Sequence, residues 1–298
     1  MTTSNPQVVT VLKNVCQKLG EGPHWDISTQ SLYFVDIDGQ RVHRYNAATG
    51  QHDSKLLDDQ VSLVVPRKSG GFVVGLGHTL SQLDWSTGTA SVIQEVEHDQ
   101  HSRFNDGKCD AKGRLWAGTL TSEPGQDFTQ GGGALYTLDL DRTVRTQLTG
   151  LTISNGLAWT DDNATFFFVD SRPGNVYAFD FDLQAGTIDS ERTVKQVGGD
   201  NAVVAGAVPD GMTIDTDNKL WVALYGGGAV IRLDPHTGTV LQKVDLPASK
   251  TSSVSWGGTN LDELYVTTGY SASEPLSGSL FKITGLGARG RPANVFEG

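Results

Sequence analysis

Cysteine and methionine are nearly absent from the 298 residues, with two of each. Cys16 and Cys109 lie far apart and form no C-x-x-C pair. Two such residues cannot build the bridge framework of a disulfide-stapled fold, so both are expected as reduced, buried side chains in a reducing compartment. Positive charge is also in deficit: 23 Lys and Arg face 34 Asp and Glu, a formal net charge of -11. That balance repels phosphate backbones and anionic lipid surfaces, so neither nucleic acid nor membrane is expected as a partner. A small neutral molecule or a cation suits it better. No apolar run approaches the roughly 18 residues of a bilayer span. The opening MTTSNPQVVTVLKNV lacks the basic start and apolar core of a secretory signal. A cytoplasmic protein is expected, monomeric or weakly self-associating. A sustained helical period is missing as well.

What is present is a repeat. An apolar strand after a small polar stretch, a turn, a strand of the type Leu-aromatic-Val, a second turn and an alternating strand recur along nearly the whole chain. The Leu-aromatic strands are SLYFVD (31–36), GGFVVG (70–75), GRLWAG (113–118), ATFFFVD (164–170), NKLWVA (218–223) and DELYVT (262–267). Each is followed by a partner of period 2, such as RVHRYNAATG or AVIRLDPHTG, that closes on a Gly-containing turn. Their spacing of roughly 39 to 54 residues is that of four-stranded propeller blades. The expected fold is all-β: a six-bladed β-propeller with four-stranded antiparallel blades, one domain over residues 1–298. The apolar fraction of 37% and the charged fraction of 19% fit a well-packed chain. QVVTVLKNV precedes the first full unit and alternates well enough to serve as the outer strand of the last blade, closing the ring.

In a propeller the first strand of each blade lines the central channel, so equivalent positions near its start converge at one mouth. The segments there are GEGPHWD, RFNDGKCD, ISNGLAWT and VPDGMTID, which present Glu21, Asn105 with Asp106, Asn155 and Asp210, each beside a Gly. DQVSLVV and KTSSVSW, from the other two blades, carry no matching acid or amide. Oxygen donors far apart in sequence but convergent in a ring suit a hard divalent cation, Ca²⁺ before Zn²⁺, and the glycines would turn the backbone tightly and leave room for a ligand. Asn-Gly and Asp-Gly are also ordinary turn dipeptides, and the recurrence at one repeat phase is what raises the metal reading above the turn. Between Asn105 and Asp106 the phase is ambiguous by one residue. The connections from second to third strand should lie over the same mouth. Two are long, TSEPGQDFTQGGG (121–133) and TGYSASEPLSG (268–278), the usual length of functional lids. Arg103, Glu123 and Asp170 are expected to face this cavity, with a solvated surface charge as the competing reading for each.

There is no G-x-S-x-G, H-E-x-x-H or P-loop. DIDG and DTDN look like calcium loops but lack the acidic residue about eleven positions on, and they read as turns. The seven His show no ligand spacing; His24 reads as a packed strand residue and His236 as part of a turn. GEGPHWD, NDGKCDAKGRLWAGT, SNGLAW, PDGMTID, LWVA and GSLFKITGLGARG together resemble the family of regucalcin (senescence marker protein 30), gluconolactonases and luciferin-regenerating enzymes, over nearly the whole chain. The resemblance implies one divalent cation, commonly Ca²⁺ or Zn²⁺, with Glu21, Asn155 and Asp210 as ligands. It implies Arg103 and Asn105 as substrate contacts, with Glu123 beside them in a loop of its own length and composition. The expected activity is hydrolysis of a sugar lactone, its carbonyl polarised by the cation and Asp210 assisting the water. Alternatives on the same scaffold are a calcium-binding regulatory protein, a hydrolase of phosphorus esters or fluorides, and a luciferin-related activity.

Overall fold

The structure is a computed structural model that describes residues 5–96, 101–199 and 202–298. Six inner strands surround a central channel: β2 (Gly20–Asp26), β6 (Val61–Pro66), β10 (Ser102–Cys109), β14 (Ser154–Trp159), β18 (Val208–Ile214) and β22 (Thr251–Gly257). Each meets the next in order, and β22 meets β2, so the ring is closed. Five inner strands head four-stranded antiparallel sheets whose strands follow in chain order, β22 heads a sixth that takes its outermost strand from the N-terminal segment, and the six-bladed propeller is the observed fold. The second strands are β3 (Ser31–Asp36), β7 (Phe72–Leu76), β11 (Leu115–Thr121), β15 (Thr165–Asp170), β19 (Leu220–Tyr225) and β23 (Glu263–Thr268).

These second strands are the Leu-aromatic segments, and they are buried on both faces because each blade stacks on two neighbours. Leu32, Phe34, Trp116, Phe166, Trp221 and Leu264 are fully covered, each such side chain contributing about 1.5–3 kcal/mol of burial. The observed strands begin up to two residues later than the sequence pattern suggests. Gly70, Gly71, Gly113 and Asn218 have φ of 94°, 71°, 77° and 56°, a left-handed backbone that belongs to the hairpin before the strand. DTDN is a turn, as expected. Asp215 accepts the amides of Asp217 and Lys219 and the indole N–H of Trp221, and Asp110 does the same for Lys112, Arg114 and Trp116 one pair of blades earlier.

β1 (Gln7–Leu12) pairs antiparallel with β24 (Leu280–Thr284), and the last blade has the order β1-β24-β23-β22. The N-terminal strand therefore closes the ring, with Val8 on the apolar core of that blade. The C-terminal tail does a second job that the sequence pattern did not disclose. Phe296 is fully buried in the core shared by the second and third blades, and its backbone bonds to Pro66 and Lys68. On the way there, Arg291 pairs with Asp161 and donates to the Thr216 carbonyl. Residues 291–294 thereby lie at the channel end opposite the expected site, lining a cavity of ≈ 270 Å³ that also touches Asp106 and Lys108.

Deleting residues 1 to 15 removes β1 and bares the edge of β24. The melting temperature should fall by on the order of 10 °C, several kcal/mol at about 2–4 °C each; an unchanged melting curve would contradict closure by this strand.

Candidate metal centre at the open mouth of the channel

Each inner strand carries one more residue than its partner near the open mouth. In β14, Ser154 pairs with Asp170 and Leu157 with Phe168, so Asn155 and Gly156 oppose one position. In β18 the pairs Pro209–Leu224 and Met212–Val222 bracket Asp210 and Gly211. In β10 Asn105 and Asp106 are bracketed together, and in β2 the pair falls one residue later, after Glu21. A bulge breaks the alternation of side chains and can aim neighbouring residues to one side, which is how a regular blade delivers polar groups to the axis. In the other two blades the bulged residues are Ser62 and Ser252.

The glycines have a different role from the expected one. Only Gly22 has a positive φ, 55°. A Cβ on Gly156 would lie 2.6 Å from that of Met212, and one on Gly211 would lie 2.0 Å from Ser253 Oγ. On Gly107 it would meet the Trp116 carbonyl at 2.7 Å and Leu63 at 2.8 Å. The space is filled by neighbouring strands, and the glycines let the inner strands approach rather than admit a ligand.

Glu21, Asp106, Asn155 and Asp210 are all buried. The carboxyls feel one another: burial, then the charge of Asp106, pushes Glu21 up to about 8. Burial, then Glu21 and Asp106, pushes Asp210 well above the carboxylate range, with Asn155 beside it partly offsetting. Burial also raises Asp106, against the pull of Lys108. Two cations share the region. Arg103 and Lys108 are each lowered by burial and held up by the surrounding acids, and the Lys108 ammonium donates to the Met212 carbonyl. Asn155 donates from Nδ2 to Ser171 Oγ at 2.9 Å, while its Oδ1 has no partner. Asp106 accepts the Gly107 amide at 2.7 Å through Oδ1, and its Oδ2 has none. Unpartnered buried oxygens amid mutually repelling carboxyls are a donor set that fits a hard cation.

The remaining expected residues separate. Asn105 is buried and joins two blades, donating to the Ser154 carbonyl and accepting from Arg103, both at 2.8 Å. Glu123 is exposed and pairs with His101 at 3.0 Å. Asp170 stands apart from the cluster: its charge is not among those acting on Glu21, Asp106 or Asp210, and its two oxygens take the amides of Thr152 and Ile153 at 3.1 and 3.0 Å. It pins the crossing into β14 as Asp36 pins the crossing into β2. Three residues escaped the sequence reading. Lys108 lies two positions beyond Asp106. Asp38 sits in a second-to-third-strand connection, and its charge reaches Arg103. Tyr225 closes β19 and is pushed up to about 12 by burial, then by Asp210, Glu21 and Asp38. Asp38 was recoverable, since DIDG lies in a connection expected over this mouth.

A six-bladed propeller with buried acids and amides converging at one channel mouth defines the class. Residues 19–270 match the family described as "SMP-30/Gluconolactonase/LRE-like region", and the chain belongs to that family. It is 43% identical over 290 residues to regucalcin of Gallus gallus, covering 94% of this chain and 95% of that one. It is 41% identical to regucalcin of Homo sapiens, covering 96% and 97%. Among solved structures, a luciferin-regenerating enzyme superposes with a TM-score of 0.90 at 32% identity, covering 98% of this chain and 100% of the other. No helix among the described residues is long and apolar enough to cross a membrane, and both cysteines are free and buried.

His24, three residues beyond Glu21, is lowered from 6.5 to about 4, chiefly by burial. Between those values the unfolded chain binds a proton that the folded one refuses. Stability is therefore lost as pH falls from 6.5 towards 4, by up to about 1.4 kcal/mol per pH unit from this residue. His24→Gln should show a smaller drop in melting temperature between pH 6.5 and 4.5 than the wild type; equal drops would contradict the buried neutral imidazole.

Proposed function

We propose that the protein is a metal-dependent hydrolase of sugar lactones, of the gluconolactonase type. The observation that carries this reading is the unpartnered Asn155 Oδ1 beside the buried Glu21 and Asp210 carboxyls, in a chain of the SMP-30/gluconolactonase family. Glu21, Asn155 and Asp210 would hold the ion, Ca²⁺ before Zn²⁺ because every donor is oxygen. A divalent cation held there supplies Lewis-acid polarisation of a carbonyl and stabilises the negative charge that develops on its oxygen.

The chain's own groups do the rest. A carboxylate oxygen of Asp210 takes a proton from the water that attacks the lactone carbonyl carbon. As the bond from that carbon to the ring oxygen breaks, Asp210 returns the proton to the departing oxygen. The product is the open hydroxy acid. Arg103 is steadied by its bonds to the Phe104 carbonyl and Asn105 Oδ1, and it presents its remaining N–H groups to sugar hydroxyls. Tyr225, neutral across the working pH range, is a further donor near Asp210. Glu123 would contribute from the exposed connection 122–132, where it holds His101. The net charge of -11 suits an uncharged lactone better than an anionic substrate.

Relatives named regucalcin support a second reading, in which the ion is itself the ligand of interest in a calcium-binding regulatory protein. A screen of five- and six-carbon aldonolactones, run after chelation and again with each metal restored, separates the two. Turnover restored by metal supports the hydrolase, and tight Ca²⁺ binding without turnover supports the regulator. Asp210→Ala should lower turnover by at least about a hundredfold and weaken metal uptake. An active Asp210→Ala enzyme with its metal bound would overturn the assignment.

A further inference from the structure

A second cluster of ligating side chains lies at the seam between the last blade and the first, apart from the channel. Cys16 is in the connection from β1 to β2, Asp36 ends β3, and His43 lies in β4 (Arg41–Asn46). All three are at most 2% exposed, and one ligand atom from each lies within 4.8 Å of the others. The imidazole is locked in place. It stacks on Phe34 with ring centroids 4.8 Å apart and planes 11° from parallel, and its Nδ1 is 3.0 Å from His52 Nε2. With His43 as the Nδ1–H tautomer donating to His52, the lone pair is on Nε2, and that atom is buried without a partner. Asp36 is oriented by the amides of Gln17 and Lys18 on Oδ2, at 2.6 and 3.3 Å, and of Leu19 on Oδ1 at 2.8 Å, and Oδ1 keeps a further lone pair. Ring nitrogen and carboxylate each fixed from behind are the outer-shell pattern that orients metal ligands.

We propose that Cys16, Asp36 and His43 form a second metal site that takes a thiophilic divalent ion, Zn²⁺ by its sulfur, nitrogen and oxygen donors. The thiol loses its proton to solvent as the Zn–S bond forms, nothing is oxidised, and thiolate and carboxylate together cancel the charge of the ion. Three protein ligands leave one position for water. The site ties the segment that follows the ring-closing strand to the first blade, where the Cys16 amide also donates to the Gly278 carbonyl of the last blade at 2.8 Å. Occupancy therefore stabilises ring closure. The inference stands independently of the lactonase reading.

The test is Co²⁺ titration of the chelated, folded protein, read by ion stoichiometry and by the thiolate-to-cobalt charge-transfer band. The wild type should take up two Co²⁺ per chain and show the band. Asp210→Ala should keep one ion and the band. Cys16→Ser should lose the band and one ion, and His52→Ala should weaken that uptake about tenfold or more. One Co²⁺ per wild-type chain without the band, or two without it, would overturn the proposal. The wild-type spectrum decides even where Cys16→Ser does not fold.

Discussion

The close approach of the six inner strands around the channel governs everything at its open mouth. Gly107, Gly156 and Gly211 stand where the next backbone or side chain leaves no room for a Cβ. The bulge beside each lifts one or two residues out of the pleat toward the axis. The polar groups gathered there come from strands about 50 to 85 residues apart, and only the ring brings them into reach. A looser ring would leave the same residues as ordinary turn dipeptides.

That arrangement is locally unfavourable. Three buried carboxyls repel one another, and two of the oxygens around them have no partner. Arg103 and Lys108 relieve only part of the repulsion. An isolated blade could not hold such a cluster. The ring can, because its second strands are sealed on both faces and because each end of the chain is fastened elsewhere: β1 completes the last blade, and Phe296 is sunk between the second and third. Residues 291–294 line the far end of the channel, where a cavity of ≈ 270 Å³ reaches Asp106 and Lys108. The connections 122–132 and 269–279 rise on the side of the open mouth. Asp127 and Phe128 of the first lean on Arg172 of the next blade.

The fold was legible because its signals are local. Leu-aromatic strands, period-2 partners and Gly turns each occupy a few consecutive residues, and their recurrence gave the number of blades and the ring-closing role of QVVTVLKNV. The convergence of Glu21, Asn155 and Asp210 followed from repeat phase alone. What escaped was set by packing across the ring. The glycines beside the acids read as turns, yet three of the four have ordinary φ and are required by a neighbouring strand. Asp170 read as a cavity residue, yet its backbone partners at Thr152 and Ile153 decide its role. The meeting of Cys16, Asp36 and His43 leaves no spacing signature, because the first belongs to a crossing and the others to separate strands of a blade. The course of the tail along the far end of the channel rests on one aromatic anchor, Phe296, which no periodicity announces.

The central claim is that the buried carboxyls of Glu21 and Asp210, with the Asn155 amide oxygen, form a cation site. A crystal structure grown with Ca²⁺ and phased to show its anomalous signal tests this most directly. The account predicts a peak at the open mouth, bounded by those three side chains at about 2.3–2.6 Å. A map with Ca²⁺ in excess and no peak there, or a peak held without Asp210 and Asn155, would contradict it.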